Sequence, residues 1–315
     1  MSQDCLLSGS FNTAVLFLIF NRPDTTQQVF EAIKRAKPPR LYIAADGPRK
    51  GVSGEAELVR EVRTIATSVD WPCEVKVLFR DINLGCKQAV TLAIDWFFEW
   101  EERGIILEDD CLPNPDFFLF CQSLLDRFAD DERVSTITGN NFQNNIRRGS
   151  GSYYFSRYNP IWGWASWRRA WKYNDGDLSF WPNWRRSSSW LEEFPDFTER
   201  RYWEEIFDLM YEQRIDTWDY PWTASVWFHG GLTVTPNVNL VSNIGFGPDS
   251  THTTDSNSPL AKIATNSLGA IAHPLTIIRD QDADLYFFNN YITTMRKRLM
   301  LRLKFITSWI SSMIV

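Results

Sequence analysis

The chain has 315 residues, with 33 Lys and Arg against 39 Asp and Glu, a net charge of −6 and a pI near 5.3. That balance excludes a general attraction to nucleic acid, and the length suits one large α/β domain or two smaller ones. The five cysteines form no CxxC pair or zinc-spaced cluster, and no run of about 20 apolar residues occurs; a reducing, cytoplasmic environment without a membrane span is expected.

Ala14 to Phe20 reads as a central strand ended by Asn21-Arg22-Pro23, after which Asp24 is placed to cap a helix over 25–36. Arg40 to Ala45 is a second strand, stopped by Asp46-Gly47-Pro48, and a helix follows over 54–69. A strand from Glu74 to Arg80 leads through Asn83-Leu84-Gly85 into a helix over 87–100. Ile105-Ile106-Leu107 then runs into Glu108, Asp109 and Asp110, and Pro113 and Pro115 stiffen the turn before Asp116, a further candidate cap. Strands alternating with amphipathic helices predict right-handed crossovers and a mostly parallel, Rossmann-like sheet flanked by helices.

In such a sheet the polar strand ends share one edge, and ligands bind there. Three adjacent carboxylates repel one another, a repulsion that Mg²⁺ or Mn²⁺ relieves. The chain has neither GxGxxG nor GxxxxGK[ST]. A nucleotide at this edge would need its diphosphate neutralised by a metal and by Arg22 or Lys87.

These residues resemble nucleotide-diphospho-sugar glycosyltransferases of the GT-A fold. The nearest resemblance is to the N-acetylglucosaminyltransferase type that starts hybrid and complex N-glycans. Bacterial surface-polysaccharide proteins that share EDDCLPNPDFF followed by a GNNF and WGWA block also look similar. The resemblance spans roughly residues 13–255, and its most specific part is the acid triplet followed by PDFF. It implies that Asp110 coordinates Mn²⁺ bridging the donor diphosphate, with Asp109 and Glu108 on ribose and donor sugar. It also implies that Arg22 lies near the nucleotide and that Asp46 accepts a hydrogen bond from a uracil ring. Asn21 stands where the family has an acid, which puts that contact in doubt.

Beyond a helix over 116–128, Val134 to Thr138 reads as a strand ending in Gly139-Asn140-Asn141-Phe142. Eleven of the 15 tryptophans then fall between Gly151 and Gly230. Most are expected to pack a core, while Trp162 and Trp164, flanking Gly163, are the pair expected to meet an acceptor sugar. Asp219 lies among Trp218, Tyr220 and Trp222, a partly desolvated setting that suits a base for an attacking hydroxyl, and it matches the base position of the resembling family. It also reads as a plain helix cap, and Glu204 and Glu205 are reserves. The turn-rich Gly245 to His252 resembles the family's lid over the donor, with His252 directed to the diphosphate.

Ile292, Met295, Leu299, Leu303, Ile306, Ile310 and Met313 recur at helical spacing beside Arg296, Lys297, Arg298, Arg302 and Lys304. This predicts a basic amphipathic C-terminal helix over 284–315 whose 292–313 stretch suits the inner face of an anionic membrane. The expected whole is a GT-A-like domain over 1–283, with a nucleotide half at 12–112 and an acceptor half at 113–275. Its expected partners are a nucleotide-sugar donor, most simply a UDP-sugar, and a glycan or lipid-linked acceptor, with inversion carried by the resemblance alone. A sugar-1-phosphate nucleotidyltransferase and a catalytically silent sugar-binding or assembly protein are the rival readings.

Overall fold

The computed structural model describes residues 11–247, 260–261 and 263–293. In chain order the first elements are β1 (Val15–Ile19), α1 (Pro23–Ala36), β2 (Arg40–Ala45), α2 (Glu55–Thr67), β3 (Glu74–Phe79), α3 (Cys86–Trp100) and β4 (Arg103–Glu108). This is the alternation the periodicity predicts. Two caps differ. α1 starts on Pro23, with Arg22 rather than Asp24 at the cap position, because proline's fixed φ is already helical and its missing N–H would be unpaired there anyway.

After β4 come β5 (Cys111–Pro113), α4 (Pro115–Arg127), β6 (Val134–Thr138), β7 (Tyr153–Ser156) and β8 (Trp164–Trp167). The side chain of Asn114, not Asp116, caps α4, accepting from the Asp116 N–H at 3.0 Å. Asp116 instead turns outward to accept from Ser267 and from the Leu268 N–H, both at 2.8 Å. Four short or medium helices follow, α5 (Arg168–Trp171), α6 (Trp181–Trp184), α7 (Ser188–Glu193) and α8 (Phe197–Tyr211). The described chain ends with α9 (Asp219–Phe228), β9 (Leu232–Pro236), β10 (Val241–Asn243), α10 (Gln281–Phe287) and a π-helical turn over Phe288–Ile292. The remainder of the predicted amphipathic helix lies outside the described residues.

The main sheet has eight strands in the order β3-β2-β1-β4-β8-β6-β9-β7. Parallel pairing joins β3, β2, β1 and β4, while β8 runs antiparallel between β4 and β6, and β7 runs antiparallel on β9. The fold is therefore mixed α/β with a mostly parallel central sheet flanked by helices. One face is packed by α1, α2 and α4 around Phe17, Ile33, Phe117 and Leu124. The other is packed by α3 and by the tryptophan-rich segment around Trp164, Trp181, Trp190 and Trp222.

Separately, β5 and β10 form a two-stranded antiparallel ribbon with Cys111 opposite Asn243 and Pro113 opposite Val241. It brings the residues just after the acids against the segment leading to Gly245. Among the described residues, no helix is long and apolar enough to cross a membrane.

Candidate functional site

The acids leave the sheet at its carboxyl edge. Leu18 of β1 lies opposite Glu108 of β4, so Phe20 to Arg22 and Asp109 to Asp110 emerge side by side. The Phe20 N–H donates to Asp109 Oδ2 at 3.1 Å. Arg22 then bridges the two aspartates, pairing through Nη2 with Asp109 and through Nη1 with Asp110 Oδ2 at 3.0 Å. Asp109 and Asp110 are both buried. Burial drives the Asp109 carboxyl upward against the pull of Arg22.

Glu108 has a buried Oε1 without a hydrogen-bond partner. Burial, reinforced by Asp110 and Asp109, drives its carboxyl well above the usual carboxylate range. Arg22 and the three acids thus leave the sheet at one edge, with Arg22 paired to the two aspartates.

Gly245 covers this cluster. A Cβ there would lie 2.2 Å from Asp110 Oδ2 and 2.6 Å from Arg22 Nη1, so only glycine leaves room. The Gly245 N–H donates to Asn243 Oδ1 at 2.9 Å, and the Ile244 N–H donates to the Asp110 carbonyl at 2.8 Å. In sequence Gly245 opens the turn-rich stretch that resembles a lid over the donor; its close approach to the acids comes from the ribbon, which local sequence does not announce. His252 lies outside the described residues.

Asp46 sits at the same edge with its carboxylate already engaged. It accepts from the N–H groups of Gly47, Leu84 and Gly85 and from Asn83 Nδ2, at 2.9 to 3.2 Å. Its present role is thus to shape the turn between β3 and α3. Lys87 does not reach the acids: its Nζ lies 3.4 Å from Asp177.

Asp216, which sequence reasoning missed, caps α3 by accepting from the Cys86 N–H at 3.2 Å and the Lys87 N–H at 3.0 Å. Arg49 was also missed. Its N–H and guanidinium bind Glu55, whose Oε1 takes Asn21 Nδ2 at 2.9 Å, and the guanidinium stands 5.7 Å from the Phe20 ring. An acid is therefore supplied next to Asn21 by another part of the chain.

From the second half, Asp219 opens α9 as its first residue, half-buried, with Thr217 Oγ1 donating to its Oδ1. Trp218, rather than Asp219, holds the cap position. Asp219 is close enough for its charge to raise the Glu108 carboxyl and the thiol of Cys86, which burial raises first. Glu204 does not share this place: it is buried and binds Trp190 Nε1 at 3.2 Å and Arg201 at 2.7 Å.

The tryptophan pair separates. Trp162 is half-buried and meets Phe246 edge-on at 5.7 Å, beside Gly245. Trp164 is 2% exposed, stacked on Trp218 at 5.7 Å and packed on Trp171 and Trp222. Strand alternation on β8 points it into the core, so it is not available to an acceptor. Gly163, at φ +71°, admits the backbone to Val241 and Leu107 rather than to a ligand. Ten of the eleven tryptophans in this segment are buried. Several indole N–H groups find internal acceptors, including Asp95, Asp208 and the Arg157 carbonyl.

The donor set at the edge consists of hard carboxylate oxygens, one of them buried and unpartnered. It fits a divalent cation that takes one or two carboxylates and fills its shell with substrate phosphate and water. Among the described residues, no group of three His, Cys, Asp or Glu side chains is arranged to hold a metal alone. The donor set therefore suits only a cation shared with a ligand. A separate cavity of about 250 Å³ lies between α1 and α4, lined by Phe11, Ala32, Pro113 and Phe118, and contains none of these acids.

No protein-family profile and no curated protein sequence matches the chain. Among solved structures, HddC from Yersinia pseudotuberculosis is 10% identical, with 54% of this chain and 85% of that one covered at a TM-score of 0.32. The inositol-1-phosphate CTP transferase from T. maritima is 10% identical over 54% and 76%, at 0.30. A UDP-glucose pyrophosphorylase complexed with UDP-glucose is 8% identical over 51% and 78%, at 0.30.

Proposed function

We propose that the chain is an enzyme that handles nucleotide-diphospho-sugars, and that it transfers the sugar to a glycan or lipid-linked acceptor. The observation that carries this reading is the Arg22 bridge between Asp109 and Asp110 at the carboxyl edge of the sheet, with Gly245 above it. A nucleoside diphosphate needs cations where it departs, and an attacking hydroxyl needs a base; this edge offers both.

In this reading Asp110 holds Mn²⁺ or Mg²⁺, which when bound supplies charge neutralisation at the diphosphate. Arg22 pairs with the phosphate oxygens, and Asp109 and Glu108 receive hydroxyls of ribose and donor sugar. Asp219 accepts the proton of the acceptor hydroxyl. The acceptor oxygen then bonds to the anomeric carbon as the carbon–oxygen bond to the diphosphate breaks, and the nucleoside diphosphate leaves with that electron pair. Displacement on the opposite face gives inversion. Trp162, beside Phe246, offers a ring for a sugar face at the mouth of the site.

The same acids and arginine also suit nucleotidyl transfer, the chemistry named for two of the three similar structures. Against it, β1 passes into α1 through Phe20-Asn21-Arg22-Pro23 with no glycine-rich phosphate loop. One experiment separates the readings. Incubated with a panel of nucleotide sugars and Mn²⁺, a glycosyltransferase releases nucleoside diphosphate; a nucleotidyltransferase, given pyrophosphate, releases nucleoside triphosphate. Calorimetric titration with UDP should show binding that requires Mn²⁺ or Mg²⁺, and Asp110→Asn should remove that requirement together with the affinity. Unchanged metal dependence in Asp110→Asn sinks the assignment.

A further inference from the structure

We infer that Arg22 is an internal counter-cation for the acid cluster, one that competes with a divalent metal for Asp109 and Asp110 and makes metal binding wait for the nucleotide. The inference deepens the nucleotide reading and rests on it only for where the guanidinium goes when displaced.

Three carboxylates converge within one turn of chain, and Arg22 is the cation in contact with them. It binds the two aspartates at once, Nη1 to Asp110 Oδ2 at 3.0 Å and Nη2 to Asp109 Oδ1. A planar fork with fixed donors suits such two-point bridging. The oxygen of Asp110 that Arg22 occupies is also the one pressed against Gly245. A metal arriving at that oxygen therefore meets a cation already there and a covered approach.

The bridge is nonetheless within reach of solvent, since the Arg22 side chain keeps 24% of its surface exposed. A nucleoside diphosphate reaching the edge offers the guanidinium a stronger fork-shaped partner than a carboxylate pair shared with Glu108. Once Arg22 moves to the phosphates, Asp110 Oδ2 is released and the cluster carries an uncompensated charge that recruits the divalent cation. Nucleotide first, metal second is the order that follows. It would also keep the vacant site from holding a metal that could promote wasteful reactions.

The test is a Mn²⁺ titration of the nucleotide-free protein, followed by the loss of the free Mn²⁺ electron paramagnetic resonance signal. Opposite charges at this separation alter carboxylate equilibria by roughly ten- to a thousandfold. Arg22→Gln is therefore expected to bind Mn²⁺ at least about tenfold more tightly than wild type, and the gain should vanish in Arg22→Gln/Asp110→Asn. No gain in Arg22→Gln overturns the inference, as does a gain that survives loss of Asp110. Should circular dichroism show Arg22→Gln to be unfolded, Arg22→Met carries the test: it keeps an unbranched apolar stem without the charge, so Mn²⁺ should tighten likewise, and no tightening overturns the inference. Calorimetric titration of UDP with Mn²⁺ on wild type judges the nucleotide reading independently, so failure of either idea leaves the other readable.

Discussion

Asp216 caps α3 across the molecule, its carboxylate accepting the N–H groups of Cys86 and Lys87 from a position 129 to 130 residues further along the chain. The contact ties the start of α9's approach to the turn that Asp46 organises. Gly85 leaves room for it, because a Cβ there would stand 2.8 Å from Asp216 Oδ2. Replacing Asp216 by Ala should lower stability by about 1 kcal/mol, the usual worth of a helix cap. Urea unfolding of the variant beside wild type measures this, and an unchanged midpoint would show that water replaces the cap at no cost.

Trp164 and Trp162 should respond in opposite ways. Trp164→Ala empties a fully packed aromatic site and is expected to cost about 3–5 kcal/mol, seen as a large fall in unfolding midpoint. Trp162→Ala should leave the fold standing and instead raise the KM for acceptor with donor binding unchanged. The opposite assignment of stability and kinetic effects would reverse the reading of the pair.

Asp219→Asn preserves the size of the side chain and its contact with Thr217 while removing the basic oxygen. Transfer should slow by about a hundredfold or more, as expected for loss of a general base, with UDP affinity within twofold of wild type by calorimetry. Near-normal transfer would place the base elsewhere.

Glu108 gives stability a pH dependence. Its folded-state carboxyl is raised by burial and by Asp110 and Asp109, above an unfolded value of about 4.3. The folded protein therefore holds more protons than the unfolded chain in the interval between, and stability falls as pH rises through it. Thermal unfolding with EDTA present should show this decline beginning just above the unfolded value, and Glu108→Gln should flatten it. An equally steep decline in the variant would assign the effect to other groups.

What was legible in the sequence is the first, parallel part of the sheet. Apolar runs ending in Asn21-Arg22, Asp46 and Glu108 to Asp110 fixed both the strands and the shared polar edge, because parallel strands must end together. The engagement of those groups was less visible. Asp46 reads as a free carboxylate at a strand end, yet Gly47, Leu84 and Gly85 donate to it, and only the meeting of two loops decides that. Trp162 and Trp164, two residues apart, look equivalent in sequence because they would share a face on one strand; they part because β8 begins only at Trp164 and Gly163, at φ +71°, turns the chain just before it. Asp216 lies so far along the chain from α3 that no local pattern announces its cap.

The β5–β10 ribbon has a consequence for how such a protein diversifies. Asn114 and Leu240 meet at its base, the Asn114 N–H donating to the Leu240 carbonyl at 2.7 Å, and everything between them departs and returns through that clasp. The acids and the glycine that covers them are therefore held at fixed separation by main-chain pairing alone. Loops in the long excursion between, which itself carries Asp219 on α9, can lengthen or shorten without shifting the acids and the glycine at its root.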